Sequence, residues 1–584
     1  MKNKFILLLM ITGVIIGVVS CKKGSLLDKK TETLTEERVF ADSTLTYSFI
    51  NDMYAYTGQD ILPQRSNIIT SPGSNDYACL DDQTSLSVSF YTNPQGGIMQ
   101  GSVGAGGYAL NNYWTTFYTK IRAANLLMQK LPVTPLSPAK RKRLAGEARF
   151  LRAFFYASLV RFYGGVQLMG DEVLDINDAL TSKRNAYKEC IDYIAKELDA
   201  AALDLPLTQD PSEYGRATKG ACLALKARML VTAASPLYNG KSISTDPSVL
   251  PLISYSTSYD ASLWQKAADA CKAVIGMGGY SLVEDNVTRP GNGFWKMFIK
   301  GRVNTEYIFP YMITNGTSLE SLRFPRSRSG SGWSNPTENA VQYFGMRNGK
   351  LISDQSSSYD AKNPYANRDP RFYYSIIYNQ APIYKAGSGT TLVPVDIYFN
   401  AATNSLSVDG LANSYTKTGY YSRKMANDST GTSSSINRVY PVIRFAEIIL
   451  GYAEALNESG NTEQAVTVIN QIRRRAGIEA GSDSRYGVPF GISQVELRKL
   501  IQNEYTVEFF QEGHFRYDTR RWRTAEITEN KPMLGMYITK ETNNSYTYKT
   551  ITALSVNWQD RSYFAPIPQN EINKAITLIQ NPGW

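Results

Sequence analysis

The stretch LAGEARFLRAFFYASLVRFY, residues 144–163, decides the fold. Leu144, Ala148, Leu151, Phe155, Leu159 and Phe162 recur at spacings of three and four, which lines them along one face of an α-helix. An apolar face of that length has to be covered, and the flanking sequence supplies covers. Upstream, NYWTTFYTKIRAANLLMQKL at 112–131 reads as its partner helix. Downstream, a second pair is expected at about 184–204 and 216–234. In the latter, Ala221, Ala224 and Ala227 let a neighbour approach closely. A third pair opens at 262–276 with SLWQKAADACKAVIG. A fourth comprises 442–458 (VIRFAEIILGYAEALNE) and 461–476 (NTEQAVTVINQIRRRA), parted by Gly460 as a helix stop. The expected fold is mainly α, with about four tetratricopeptide-like helical hairpins and a few short strands. Between the third and fourth pairs, residues 280–440 are rich in Gly, Pro, Ser and short aromatic runs. A long irregular region inside a compact protein is usually functional. A carboxyl-terminal region, 477–584, completes the body at 34–584.

Composition excludes several function classes. The 584 residues carry a net charge of +10, but the basic clusters Arg141-Lys142-Arg143, Arg473-Arg474-Arg475 and Arg520-Arg521 are dispersed over amphipathic segments. A nucleic-acid footprint would gather on one face, so none is expected. The single histidine, His514, rules out schemes that need two, and the cysteines form no CxxC pair. No metal site, cofactor or disulfide framework is expected. Tyrosine is abundant at 39 residues. Tyrosine-rich surfaces suit sugars or peptides, because the ring stacks while the hydroxyl bonds; the alternative is that these rings cap the rim of a core.

The amino terminus has its own grammar. Lys2 and Lys4 precede an almost wholly apolar run from Phe5 to Val19, closed by Val18-Val19-Ser20-Cys21. The run is too short to span a bilayer and reads as a secretory signal over 1–20. It resembles a bacterial lipoprotein signal, which implies acylation of Cys21 as the first mature residue. Residues 21–33 (CKKGSLLDKKTET) then form a tether.

The ordered set of stretches resembles one family, the SusD/RagB outer-membrane nutrient-binding lipoproteins of Bacteroidetes. It comprises GEARFLRAFFYASLVRFYGGVQL (146–168), YGRATKGACLALKARMLV (214–231), NPYANRDPRFYYSIIYN (363–379), TGYYSRKM (418–425), YPVIRFAEIILGYAEALNESG (440–460), INQIRRRAGI (469–478), EYTVEFFQEGHFRYDTRRW (504–522) and YFAPIPQNEINKAITLIQNPGW (563–584). The resemblance runs from residue 21 to the terminus. It implies a non-catalytic cell-surface lipoprotein, lipid-anchored in the outer membrane and facing outward. Such a protein binds oligosaccharides and sits as a lid on a SusC-like TonB-dependent transporter; some relatives take peptides instead. The chain departs from the family in having Lys22-Lys23 after the cysteine, where relatives often carry acids, and Gly513-His514 where a Gly-Arg pair is common.

The ligand candidates lie in the polar-aromatic loops: Asn75, Asp76 and Tyr77, Tyr91 within Phe90-Tyr91-Thr92-Asn93, Trp295 beside Phe294, and Trp333 in SGSGWSNP. Relatives that bind glycans build a stacking platform from the corresponding regions. A surface glycoside hydrolase is the rival of another class, and it would need a carboxylate pair. Glu504, Glu508 and Glu512 recur every four residues on one helical face, near Arg516, Arg520, Arg521 and the arginines of INQIRRRAGI. Neighbouring arginines hold carboxylates ionised and deny an acid its proton, so this set is expected to be structural. Arg368-Asp369-Pro370-Arg371 is read in the same way as a turn clamp, and Asp81 and Asp82 have no evident second partner.

Overall fold

The computed structural model describes residues 35–58, 80–89, 98–107, 112–174, 183–299, 303–316, 318–388, 391–411, 415–427, 436–575 and 577–584. Eight helices form the body: α1 (Asn112–Lys130), α2 (Pro138–Tyr163), α3 (Tyr187–Asp204), α4 (Lys219–Ala234), α5 (Ser262–Gly276), α6 (Phe445–Glu458), α7 (Thr462–Arg475) and α8 (Gln494–Glu508). Each of the first seven packs on the next, and α8 packs on α6 and α7. The opening stretch belongs to α2, which starts at Pro138 with the Ser137 hydroxyl accepting from the Lys140 amide. It stops at Gly164, whose φ of 75° no side-chain-bearing residue adopts cheaply. All six of its stripe residues are buried in the main apolar core.

Small residues set the helix spacing. Ala221, Ala224 and Ala227 are fully buried on α4. Gly451 on α6 leaves so little room that a Cβ there would lie 3.3 Å from Cys271 Sγ and 3.4 Å from Val231 Cγ2. The three described cysteines, Cys190, Cys222 and Cys271, are free and buried. Burial pushes the Cys190 thiol up to about 12, so these are packing residues.

Two expectations need correction. Residues 442–444 do not open a helix. They end strand β4 (Ile436–Arg444), which pairs antiparallel with β2 (Tyr307–Gly316). Pro441-Val442-Ile443 combines a helix-breaking proline with β-branched side chains, so the chain stays extended until Arg444. The helix pairing also differs. The helix that packs on α5 after α4 is α6, more than 160 residues later in sequence; α6 also touches α4 and keeps its expected partner α7, so the irregular region is inserted between two helices that pack on each other. Its two ends are adjacent: Tyr280 stacks on Phe445 with ring centroids 6.4 Å apart, and the Phe445 amide donates to the Glu306 carbonyl at 2.8 Å.

The insert carries short helices at Asn292–Ile299, Ser318–Arg323, Glu338–Tyr343 and Pro370–Ser375. Strand β3 (Ser334–Pro336) pairs with β1 (Ser87–Ser89). After the helical body, β5 (Met533–Lys540) and β6 (Tyr546–Leu554) form an antiparallel hairpin.

Candidate functional site

Of the residues singled out by sequence, Cys21, Asn75, Asp76, Tyr77 and Tyr91 lie outside the described residues. The two tryptophans are described, and the structure separates them. Trp295 sits on the Asn292–Ile299 helix against a core cluster of Phe294, Met297, Tyr307 and Tyr374. The Arg289 guanidinium lies between its ring and that of Tyr374, 5.4 and 4.9 Å from the two centroids. Trp333 is half-buried, just ahead of the short strand β3.

The backbone around Trp333 is fixed from several sides. Its amide donates to the Leu322 carbonyl at 2.8 Å. Gly332 has a φ of 58°, and a Cβ there would meet the Tyr415 carbonyl at 2.5 Å and the Tyr421 ring at 2.7 Å. Next in the chain, Ser334 is the register partner of Ser89, so the described strand β1 ends directly opposite the residue after Trp333. Lys417 spans the same junction, donating to the Ser89 carbonyl at 3.2 Å, while its amide donates to Asn335 Oδ1 at 3.1 Å. Arg326, exposed, hydrogen-bonds the Tyr415 hydroxyl and lies 5.0 Å from that ring's centroid. Arg326 and Tyr415 thus pair on the segment that packs against Gly332, the residue before Trp333. Sequence reading missed Arg326, Tyr415 and Lys417. The FPRSRSGSGW run held the clue to the first, because its arginines lie in the same Gly/Ser-rich segment as the tryptophan.

Beneath this patch the acidic residues are spoken for. Asp82 accepts from the hydroxyls of Ser87 at 2.5 Å and Ser334 at 2.8 Å. Asp81 is 1% exposed, and burial, with Asp82 adding to it, pushes its carboxyl up to about 7.

The Glu504, Glu508 and Glu512 face is a buried ion cluster. Glu504 pairs with Arg371 at 2.5 Å and Arg473 at 2.8 Å; Glu508 with Arg371 at 3.0 Å, Arg444 at 2.6 Å and Arg475; Glu512 with Arg444 at 2.7 Å and Lys424 at 2.5 Å. Glu306 bridges Arg444 and Arg475, and Asp369 holds Arg371 at 2.8 Å. Five carboxylates therefore face five cations in the interior. Of the arginines of INQIRRRAGI, Arg473 and Arg475 take part as expected, whereas Arg474 pairs with Glu284 at the surface. The downstream set does not: Arg521 instead pairs with Glu454 at 2.7 Å and Asp518 at 2.8 Å. Arg475, Arg444 and Arg371 outweigh the desolvation of Glu508 and hold its carboxyl well below the usual carboxylate range. Burial pulls the Lys424 ammonium down to about 8, although Glu512 opposes the shift. His514 stacks on Phe509 at 4.1 Å and is driven well below its ordinary pKa by burial and by the charges of Arg228 and Arg161. It is a neutral packing group. The Arg368–Arg371 turn closes as a clamp: Asp369 caps the helix at the Arg371 amide, and the Arg368 guanidinium donates to the carbonyls of Val341, Phe344 and Pro364.

Open clefts lie elsewhere on the surface. One of about 610 Å³ runs between α1 and the C-terminal residues 571–578; its tryptophan, Trp114, is only 7% exposed. Another of about 310 Å³ lies in the insert, beside Tyr373, Tyr374 and Tyr378. Interior cavities around His514, of about 40 and 30 Å³, are too small for a sugar ring.

A row of packed helices that carries a long irregular insert, with the candidate patch on the insert, defines a class of helical-scaffold proteins. Comparison with known proteins narrows it. Residues 302–584 match the family model described as SusD family, and residues 39–231 match the model described as "Starch-binding associating with outer membrane". SusD-like protein P2 of Formosa agariphila is 25% identical over 561 residues, which cover 94% of each chain. Among solved structures, a SusD-like protein from Bacteroides fragilis superposes with a TM-score of 0.74 at 25% identity, covering 94% of this chain and 99% of its own. A SusD-like carbohydrate binding protein of the same species gives 0.71 at 23%, covering 93% and 100%. The chain belongs to the SusD/RagB family.

Proposed function

We propose that the chain is a cell-surface lipoprotein, anchored in the outer membrane through Cys21, that binds oligosaccharides without cleaving them and passes them to a SusC-like TonB-dependent transporter. The irregular region and the loops that precede α1 supply the ligand face. The observation that carries this reading is Trp333: a half-buried indole in a glycine- and serine-rich turn of the insert, on a backbone held by the Leu322 carbonyl and by the close approach of Gly332 to Tyr415. An indole face takes the C–H surface of a sugar, and the neighbouring polar groups bond its hydroxyls. The carbohydrate-binding description of the B. fragilis relative and the starch-binding family model support the ligand class. Against catalysis, the regularly spaced glutamates are locked in a buried ion cluster, and Glu508 in particular cannot give up a proton it does not hold.

The test is affinity electrophoresis and calorimetry of the chain against soluble starch and a panel of plant, algal and microbial polysaccharides. Trp333→Ala should weaken the binding found by about thirtyfold, on the order of 2 kcal/mol, with the melting temperature unchanged. Equal binding by the variant moves the site elsewhere, and release of reducing ends by the wild type overturns the non-catalytic reading.

A further inference from the structure

The cleft of about 310 Å³ in the insert has an unusual wall. Arg289, Arg347, Arg368 and Arg423 line it together with Tyr373, Tyr374 and Tyr378, and among the described residues no aspartate or glutamate does. Its volume falls at the lower end of ligand pockets, about 300–1,000 Å³. Two of the four guanidiniums are engaged in the backbone: Arg368 donates to carbonyls on the chain around it, and Arg423 donates to the Tyr373 carbonyl at 2.5 Å. The other two are presented. Arg289 is exposed and pairs with no carboxylate among the described residues; its Nε reaches Asn292 Oδ1 at 3.3 Å. Trp295 and Tyr374 hold its guanidinium between their rings, and the Tyr374 hydroxyl fixes the adjoining Pro290 carbonyl at 3.1 Å. Arg347 pairs with Glu479 at 3.0 Å, both side chains half-exposed, a surface pair that a better-placed anion displaces at small cost.

The aromatic floor is equally ready. The Tyr378 ring is half-buried, stacked on Phe372 at 5.2 Å and tilted against Tyr365 at 4.7 Å, and its hydroxyl has no partner among the described residues. Tyr373, beside it, is fixed by donating to the Tyr365 carbonyl at 2.8 Å. Planar guanidiniums suit the paired oxygens of a carboxylate or a sulfate ester, and a tyrosine face suits the sugar ring that bears it. We infer that this cleft is a subsite for an acidic sugar unit, a uronate or a sulfated residue, with Arg289 and Arg347 binding the anion and Tyr378 the ring. The inference rests on the proposed glycan-binding role and adds a ligand class to it. The net charge of +10, which is 10 − 2 = +8 once Lys2 and Lys4 leave with the signal segment, favours the approach of such polymers.

The experiment compares wild type with Arg289→Ala/Arg347→Ala by affinity electrophoresis and calorimetry at 20 and 300 mM NaCl. Polygalacturonate serves as the carboxylate probe, ι-carrageenan as the sulfate probe, soluble starch as the neutral one and poly-glutamate as a non-sugar polyanion. Wild type should bind at least one acidic polysaccharide, more weakly at the higher salt, and the carboxylate and sulfate arms show which anion fits. The double variant should lose at least tenfold of that affinity while melting within 1–2 °C of wild type, because both side chains are at the surface. The site is overturned if neither acidic polysaccharide binds, if the double variant binds them as wild type does, or if poly-glutamate binds equally well. Starch binding without acidic binding sinks this subsite alone, whereas failure with every polysaccharide sinks the glycan reading with it.

Discussion

Replacing Glu508 by glutamine should unfold the protein far more readily than it should disturb binding. The carboxylate is fully buried and sits among Arg371, Arg444 and Arg475. Glutamine keeps the volume and removes one negative charge, so five buried cations would face four carboxylates. Stranding a charge in this way costs about 3–5 kcal/mol, against at most about 1 kcal/mol for an exposed pair. For a chain of this size that displaces the urea midpoint by on the order of 1 M. The acid limb gives a second readout. The folded state holds the Glu508 carboxyl well below its unfolded value of about 4.3, so its contribution is present above that pH and is lost as the pH falls. Wild type should therefore lose stability steeply below about pH 4.5, and Glu508→Gln less steeply. Glu284→Gln, which breaks the half-exposed pair with Arg474 at 2.7 Å, is the control and should be nearly silent. An unchanged midpoint in Glu508→Gln, or lost glycan binding at an unchanged midpoint, would refute the structural role.

Further outcomes are expected. Asp81→Asn should raise the melting temperature at pH 8, by at most about 4 kcal/mol of stability, and the gain should vanish toward pH 4. The sign follows because burial lifts the folded pKa to about 7, so wild type loses stability as the pH rises from about 4 to 7; a gain independent of pH would refute the cause. Trp295→Ala should lower the melting temperature, at the lower end of the 3–5 kcal/mol for deleting a large aromatic, since it packs on a core cluster; an unchanged melt would place it with Trp333. Gly332→Ala should destabilise by about 1–3 kcal/mol and weaken glycan binding as well, because strain at φ 58° and the clash with Tyr415 both shift Trp333; calorimetry and melts on one sample check both. Cys21→Ser should move the protein from the detergent phase to the aqueous phase, since no acyl chain can then be attached; persistent partitioning with detergent would contradict the anchor.

The helical body was legible because apolar side chains recur with the helix period over long runs, as in 144–163 and 262–276. Where the period ran into a competing preference, the reading slipped. Val442 and Ile443 are apolar and in step with the helix that follows, yet Pro441 and the β2 partner hold them in a strand. The partnership of α5 with α6 was hidden because a helix records that it has a neighbour, not which segment supplies it. The ion cluster was half visible. The spacing of Glu504, Glu508 and Glu512, the arginine triplet and the Arg368–Arg371 clamp showed charged structural groups, but nothing showed that Arg371 would meet the glutamates, and Arg444 and Glu306 come from distant segments with no local signature. Trp333 stood out through its glycine- and serine-rich surroundings. Arg289 and Arg347 did not, because an exposed arginine in a loop looks the same whether it faces solvent or a cleft.

The insertion point between α5 and α6 makes residues 281–443 a transplantable cassette. Its ends meet at Tyr280 and Phe445, so a relative's segment can re-enter the scaffold at the same two points if it also keeps the pairing of β3 with β1 and of Phe399–Asn400 with β5. The cluster sets the condition for success. The cassette contributes Glu306, Asp369, Arg371 and Lys424, and the scaffold contributes Arg444, Arg473, Arg475, Glu504, Glu508 and Glu512, so each side is electrically neutral alone. A donor cassette that keeps two acids and two bases at the joint would leave the interior balanced whatever sugar-facing loops it carries. Ligand preference can then diversify through exchange of a single segment while the helical body stays the same.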